Sequence, residues 1–323
     1  MAVTQNNHIF WKGVLFFSIL SACAVLPIST VSSYSIENIP NTEVRSDFVV
    51  GPGRFELEMK PGETRTIEIT VTNRMGDTRM FNFETEDFKG SDSVEDTVIL
   101  LGDDRGPYSL KDFISVPEYS FELNHAERAT IPVTISVPTD TEPGGLYGSL
   151  LTSTASKPTI TDAPTSAVIA RIGTLFFIRV PGEVEEAGQL TSFETIDGKK
   201  MYGSGPIDFR LLYKNSGSVH LNPYGEISVK NILGKEIGLL KISPWFAMPD
   251  SLRLREVSWE SSFLVGKYTA TASINRGYDN VVDTLEYTFW VFPVKLLVLI
   301  CVSIVLVLFV LRFIITRFEI RKK

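Results

Sequence analysis

Few residues in this sequence have the types and spacing that catalysis or metal binding requires. His8, His125 and His220 lie far apart, and none has a cysteine or a second histidine close to it in sequence. Zinc sites need clusters of Cys, His and carboxylate ligands, and the sequence contains no motif of a serine hydrolase, a zinc peptidase or a P-loop protein. We therefore predict a non-enzyme without a metal or cofactor, in which His125 and His220 are surface residues.

Two acidic segments are the remaining candidates for a metal ion. Glu84-Thr-Glu-Asp and Asp103-Asp104 are predicted turns that bring carboxylates together. Calcium prefers carboxylate and carbonyl oxygens, but its common loop has an Asp-x-Asp-x-Asp-Gly spacing that neither segment has. Solvated acidic loops are therefore favoured, and a calcium site is the alternative.

Three aromatic residues are candidates for ligand binding. Tyr147 follows two glycines, and Trp245 and Phe246 follow a Ser-Pro pair. Aromatic rings stack on the faces of sugars and offer a large apolar area. We predict that these rings bind a ligand, and the alternative is that they fill the core of a β-sandwich. Alanine variants separate the two, because only a packed ring is needed for stability.

The elements that position these residues are predicted to be β-strands. Apolar side chains recur at every second residue in the segments 54–59, 64–73, 129–137 and 206–215. This alternation predicts strands with one buried face. Because proline has no N–H, Pro132 is expected on an edge strand or facing solvent.

The middle of the chain is predicted to be all-β, with two tandem Ig-like β-sandwiches over 34–180 and 181–292. Pro181-Gly182 marks the boundary between them. The segment 86–118 is expected to be an irregular insertion. The segment 152–166 is rich in Ser, Thr and Pro and is expected to be a long exposed loop.

The N-terminal segment 1–33 has the features of a secretory signal peptide. A single charge, on Lys12, precedes an apolar run that starts at Val14, and small residues precede Tyr34. Two alternatives remain: an uncleaved anchor helix, and lipidation at Cys23, since Leu-Ser-Ala-Cys matches the lipobox of bacterial lipoproteins.

The C-terminal segment predicts a transmembrane helix over 293–316. Residues 296–311 carry no charge, and their apolar neighbours extend the run to the roughly 30 Å of a bilayer core. Trp290 and Phe292 fit an aromatic belt at the outer interface. The tail 317–323 is basic, and basic residues flank the cytoplasmic ends of membrane helices. We therefore predict a single-pass protein of the cell membrane with residues 34–292 outside.

Charge and cysteine content limit the partners of the predicted ectodomain. Residues 34–292 have a net charge of −13. Nucleic acid is excluded as a partner, because phosphate binding needs clusters of Lys and Arg. The ectodomain has no cysteine, so no disulfide can stabilise it, which favours a bacterial surface over a eukaryotic one.

A family resemblance is carried by Phe55-Glu-Leu-Glu-Met-Lys-Pro-Gly-Glu-Thr-Arg-Thr-Ile-Glu-Ile-Thr-Val-Thr-Asn. This segment resembles the opening of the peptidoglycan-binding domain of WxL-interacting cell-surface proteins. Pro143-Gly-Gly-Leu-Tyr-Gly-Ser-Leu-Leu is similar to a late strand of that domain, and Gly266-Lys-Tyr-Thr-Ala-Thr-Ala resembles the penultimate strand of the second. The resemblance implies a bacterial envelope protein that binds cell wall glycan with its first domain and surface proteins with its second.

Two functions are therefore expected as alternatives. The first is a non-catalytic, membrane-anchored cell-envelope protein whose ectodomain binds cell wall glycan or surface proteins. The second is an accessory or scaffold subunit of a membrane-bound envelope complex that pairs strand edges with a partner protein, since unpaired backbone groups on an edge are a template for a further strand. Binding of the ectodomain to purified peptidoglycan separates the two.

Overall fold

The computed structural model describes residues 34–155, 169–261 and 264–317. These residues are mostly in β-strands, with one apolar helix at the C-terminal end, which confirms the predicted all-β character. The predicted signal peptide with Cys23 lies outside the described residues, as do most of the predicted loop 152–166 and the tail beyond residue 317.

The first pair of sheets is built from strands that lie before residue 181. They are β1 (Ser35–Asn38), β2 (Phe48–Gly51), β3 (Arg54–Glu58), β4 (Thr64–Asn73), β5 (Arg79–Lys89), β6 (Ile99–Leu100), β7 (Ile114–Ser115), β8 (Ser120–Leu123), β9 (Glu127–Ser136), β10 (Gly144–Ala155) and β11 (Ile169–Val180). One sheet has the order β1-β9-β4-β2, with β7 also on β9; the other has the order β3-β11-β10-β5-β6, with β8 also on β5.

The core of this pair lies between its two sheets. Ile131, Val133 and Ile135 of β9 are at most 1% exposed and pack with Phe81 and Phe176 from the other sheet. The apolar residues of this period-two alternation therefore face the core, as predicted. An alternating strand buries its apolar face in this way because successive side chains lie on opposite sides of a sheet.

Pro132 is accommodated by a gap beside β9. Along one side, β9 pairs with β4 over its length. On the other side it pairs with β1 through residues 127–130 and with β7 through residues 134–135. Pro132 lies between these two short partners, so neither of them needs the N–H that proline lacks. β9 is therefore an interior strand and not the expected edge strand, and the gap between β1 and β7 is what accommodates Pro132.

The second pair of sheets follows residue 187. Its strands are β12 (Gly188–Thr195), β13 (Met201–Tyr202), β14 (Ile207–Asn215), β15 (Tyr224–Asn231), β16 (Glu236–Ile242), β17 (Ser251–Trp259), β18 (Gly266–Asn275) and β19 (Val282–Val291). The sheets have the orders β12-β14-β17 and β13-β19-β18-β15-β16. Phe209, Tyr213 and Phe289 are fully buried between them.

The sequence predicts a turn at Glu84–Asp87. The structure contradicts this, because the acidic segment is part of β5. Glu84 and Glu86 form ion pairs with Arg171 of β11. Asp87 is fully buried and accepts hydrogen bonds from the N–H groups of Leu110 and Lys111, both at 2.9 Å. Asp87 therefore holds the later part of the irregular segment, at residues 110 and 111, against β5. The described residues contain no group of three or more Cys, His, Asp or Glu side chains that could hold a metal ion.

The helix α1 (Val294–Arg317) begins three residues after β19 ends. Its 24 residues correspond to about 36 Å at 1.5 Å per residue. Residues Val298–Thr316 are long and apolar enough to cross a membrane, and the side chains described there are exposed. The predicted apolar helix is confirmed.

Candidate functional site

Two of the three predicted ligand-binding rings are buried, and the third is half-buried. Tyr147 of β10 is fully buried, and Trp245, between β16 and β17, is 5% exposed. Trp245 belongs to the core of the second pair of sheets and meets Tyr213 edge-on at 6.2 Å between ring centroids. Phe246 is half-buried. The arrangement at Tyr147 and Trp245 is that of the alternative, in which the rings fill a core.

Tyr147 lies where the two pairs of sheets meet. Its ring centroid is within 6.0 Å of those of Phe88, Phe177 and His220. Its hydroxyl accepts a hydrogen bond of 2.7 Å from the backbone N–H of His220, which belongs to the second pair. Burial raises the pKa of the Tyr147 hydroxyl, so the group stays neutral.

Gly145 makes room for this ring. A Cβ added at position 145 would overlap the hydroxyl end of Tyr147, two residues further along the same strand. Residues i and i+2 of a strand share one face, so the tyrosine folds back over the glycine. The sequence predicts that the glycine pair opens the backbone to a ligand. Instead, the pair allows the ring to reach the neighbouring sheets.

His220 was expected at the surface, and the structure contradicts this. It is 7% exposed, its ring centroid is 5.1 Å from that of Phe177, and its Nδ1 is 3.3 Å from the Tyr147 hydroxyl. Burial lowers the pKa of the His220 imidazole to about 4, although the carboxylate of Glu56, 3.9 Å from its Nε2, acts in the opposite direction. Its neighbours Val219 and Leu221 are buried as well.

We call the buried contact between the two pairs of sheets the junction cluster. It consists of Phe88, Tyr147 and Phe177 from the first pair and of Phe246 and Met248 from the second. The clustering of apolar side chains from both pairs stabilises their contact through the hydrophobic effect. A further backbone hydrogen bond, from the Leu252 N–H to the Ser91 carbonyl at 3.1 Å, lies beside the cluster.

The ring of Phe246 contacts one arginine from each pair of sheets. The guanidinium carbon of Arg54, from β3, is 5.5 Å from its ring centroid, and that of Arg253, from β17, is 5.2 Å away. Phe177 meets the same ring edge-on at 5.0 Å. Cations over a ring face are attracted by its quadrupole. This ring therefore links three side chains from both pairs of sheets.

Replacing Phe246 by alanine is expected to lower the free energy of unfolding of residues 34–292 by about 2 kcal/mol, since a half-buried ring and two cation–π contacts are lost. Urea denaturation measures this change. Phe246→Leu is the matched control, which keeps apolar volume and is expected to lose less. Cleavage of the 181–187 connection by a protease should also become faster in the alanine variant only. Equal cleavage in both variants and the native protein would contradict a linking role.

Two edge strands, β12 and β3, are protected against further pairing. On β12, the N–H groups of Gly188 and Leu190 donate to the Tyr278 hydroxyl and the Asp283 carboxylate, at 3.1 and 2.7 Å. On β3, charged residues alternate along the strand. Side-chain caps, charges and short strands are the usual means by which proteins protect edges.

The edge strand β16 is protected less: its charged residues Glu236 and Lys241 lie towards its ends, and its register with β15 shifts at Ile237. Its seven residues contain no proline, and in the described residues it pairs with β15 alone. Ile237 and Leu239 are 39% and 48% exposed. Between them Gly238 faces the core, where a Cβ would overlap the indole of Trp259. We call the unpaired side of this strand, with its two exposed aliphatic side chains, the β16 edge.

Comparisons with known proteins give no family for this chain. No family model matches, and no curated protein matches. Solved structures with some similarity include the class 5 fimbriae chaperone CfaA, with 11% identity and a TM-score of 0.36, over 75% of this chain and 99% of that one. The CupB2 chaperone of Pseudomonas aeruginosa has 11% identity and a TM-score of 0.32, over 74% and 98% of the two chains. The E. coli chaperone DraB has 14% identity and a TM-score of 0.32, over 76% and 96%.

The expected membership in the WxL-interacting family is wrong. No family model matches the chain, and the similar solved structures include chaperones such as CfaA and CupB2. The cell wall glycan that the family resemblance implied as a ligand is withdrawn with it. Since TM-scores below 0.5 describe only a distant similarity, the function of this chain has to be argued from its own geometry.

Proposed function

We propose that the protein is a non-catalytic accessory or scaffold subunit of a membrane-bound envelope complex, which holds an extended segment of a partner protein against the β16 edge. The observation that carries this proposal is a proline-free edge strand of seven residues with Ile237 and Leu239 exposed on it. Such an edge offers unpaired backbone groups to a partner strand and aliphatic contacts to its side chains.

The register of β16 defines what a partner segment must offer. Seven residues at about 3.3 Å each extend over roughly 23 Å. Ile237, Leu239 and Lys241 lie on the outer face of the sheet, and Lys241 is opposite Glu226 of β15. A partner strand with aliphatic residues at alternate positions would cover the first two side chains. Main-chain hydrogen bonds then supply affinity, and this alternation supplies specificity.

The anchor of this subunit is α1. Its length of about 36 Å exceeds the roughly 30 Å of a bilayer core. Arg312, Arg317 and the basic residues of the tail support an orientation with the tail in the cytoplasm and residues 34–292 outside. Within the ectodomain we propose two domains, 34–180 and 181–292, because each has a core of its own between two sheets.

Replacing the two exposed aliphatic side chains of the β16 edge by lysine is expected to prevent pairing with the partner. In the double variant Ile237→Lys/Leu239→Lys, a partner strand would have to bury two ammonium groups, so copurification of a partner from the native membranes should be lost. The matched control is Met80→Lys. Met80 is 50% exposed on β5, a strand that has β10 and β8 as partners on its two sides. This control should retain the partner.

Hydrogen exchange gives the complementary readout. In the free protein, those amides of 236–242 that do not bond to β15 should exchange fast, and in the complex they should be protected. A partner that is retained by the double lysine variant, with unprotected amides on β16, would contradict strand pairing at this edge. Loss of the partner from Met80→Lys as well would also contradict pairing that is specific to the β16 edge, because β5 belongs to the first pair of sheets and β16 to the second.

A further inference from the structure

The end of the second pair of sheets at which the chain enters α1 can be identified from the strand register. Gly266 at the start of β18 is opposite Val291 at the end of β19, and Asn231 at the end of β15 is opposite Tyr268. The short strand β13 runs parallel to β19, with Met201 beside Trp290. The β15–β16 turn, the start of β18 and β13 therefore all lie at the end that leads into α1.

Exposed apolar side chains are concentrated at this end. They are Leu233 at 86%, Ile232 at 70%, Met201 at 65%, Val265 at 51% and Trp290 at 38% exposure. We call these five side chains the anchor-proximal rim. Outside α1, the first three are the most exposed large apolar side chains in the described part of the chain. Clustered exposed apolar residues usually indicate a surface that is covered in the functional state.

Polar neighbours give the rim the composition of a membrane interface. Lys200 precedes Met201, and Lys235 follows the β15–β16 turn; both lysines are exposed. Trp290 stacks on Phe292, with ring centroids 5.5 Å apart and planes at 9°. Tryptophan is enriched at the headgroup level of bilayers, and lysine can keep its ammonium group there while its methylene chain contacts lipid. These lysines lie in an ectodomain that is acidic as a whole.

The connection to α1 limits what can cover the rim. Only Phe292 and Pro293 separate β19 from the helix. Two extended residues reach about 7 Å, and the four helical residues before the apolar span at Val298 add about 6 Å. Together they cover the headgroup layer of about 5–8 Å but are much shorter than the roughly 30 Å diameter of a small folded domain. A folded partner would not fit between the rim and a membrane that holds α1, whereas lipid headgroups and the upper parts of acyl chains would.

We propose that the anchor-proximal rim inserts into the outer interface of the bilayer that holds α1. The proposal rests on the proposed anchor and extends it: the second pair of sheets is held against the membrane by five apolar side chains as well as by the helix. Because β16 starts at Glu236, directly after the rim turn, the β16 edge would then begin at the membrane surface.

Fluorescent labelling of the full-length chain in vesicles tests this inference. Cys23→Ser and Cys301→Ser remove the two cysteines, and Leu233→Cys then carries an environment-sensitive nitrobenzoxadiazole label. Vesicles of phosphatidylcholine and phosphatidylglycerol that contain nitroxide lipids report contact with lipid, and iodide in the buffer reports contact with water. The expected result is quenching by nitroxide lipids, a blue-shifted emission and loss of quenching by iodide.

Two further label positions serve as controls. Val282→Cys lies at the opposite end of β19, where Val282 is 53% exposed, and its label should respond to iodide and not to nitroxide lipids. Val305→Cys lies in α1 and reports the anchor itself. A label at 305 that is quenched by lipid, with a label at 233 as open to iodide as that at 282, would overturn the rim proposal alone. A label at 305 without lipid contact would overturn both the anchor and the rim. A label at 233 that is shielded from both quenchers would mean that protein covers the rim, and would also overturn it.

Discussion

Replacing Tyr147 by alanine is expected to lower the free energy of unfolding by about 3–5 kcal/mol, the usual range for removal of a large buried aromatic side chain. The ring is fully buried at the junction cluster, where Phe88 and Phe177 contact it. Its removal leaves a cavity between the two pairs of sheets and deprives the His220 N–H of its acceptor. Urea denaturation of residues 34–292 measures the change.

Two matched variants separate the contributions of the ring and its hydroxyl. Tyr147→Phe keeps the ring but leaves the buried His220 N–H without an acceptor, for which we expect a loss of about 1–3 kcal/mol. Tyr224→Ala removes a tyrosine that is 43% exposed on β15 and should change the stability by no more than about 0.5 kcal/mol. A Tyr147→Ala protein as stable as Tyr224→Ala would contradict a packing role for Tyr147.

The strands could be predicted from the sequence because their signal is local. Ile131, Val133 and Ile135 alternate with polar residues, and an alternation of period two has one structural solution, a strand with one buried face. The apolar helix was predictable for the same reason, since sixteen consecutive uncharged residues leave few alternatives. In both cases the pattern within one segment already contains the physical cause of the structure.

The junction cluster could not be predicted, because its causes are distant in sequence. Tyr147 and His220 are 73 residues apart and meet only when both pairs of sheets have formed. The glycines before Tyr147 are equally consistent with an open strand and with a ring folded over Gly145, and the sequence does not distinguish them. The prediction of a turn at Glu84–Asp87 was wrong for a similar reason. A run of carboxylates is typical of a turn, and the partners that allow it in a strand, such as Arg171, come from a later element.

The β16 edge could be predicted from the sequence only in part. Strand-edge pairing was an alternative that the sequence could raise, since alternating strands must form sheets and sheets have edges. Which strand lies at an edge depends on the order of strands, which is set by contacts between segments that are far apart. The strand order shows that β16 is an edge strand, with Ile237 and Leu239 exposed on it. The sequence alone does not distinguish β16 from an interior strand such as β18.

Acidification is expected to destabilise the protein through His220. Burial lowers the folded-state pKa of this imidazole to about 4, and the unfolded chain has the ordinary value of 6.5. Between these two values the unfolded state binds more protons than the folded state, so stability falls as the pH falls. The contribution of the neutral ring is complete above pH 6.5 and is lost progressively as the pH decreases to about 4. At about pH 4.5 the loss should reach roughly 2.5 kcal/mol.

The variant His220→Gln isolates this effect from the titration of carboxylates, which both proteins share. Urea denaturation at about pH 7.5 and pH 4.5 should show the native protein losing roughly 2.5 kcal/mol more than the variant. Glu56→Gln supplies a test of the sign. The Glu56 carboxylate favours the imidazolium, whereas the cations of Arg179 and Arg54 disfavour it. Removing this carboxylate should therefore lower the pKa of His220 further and extend the loss of stability to lower pH. An equal loss in the native protein and in His220→Gln would mean that the folded chain admits a proton to this ring without cost, and the ring would then have to be open to water and not enclosed by Tyr147 and Phe177.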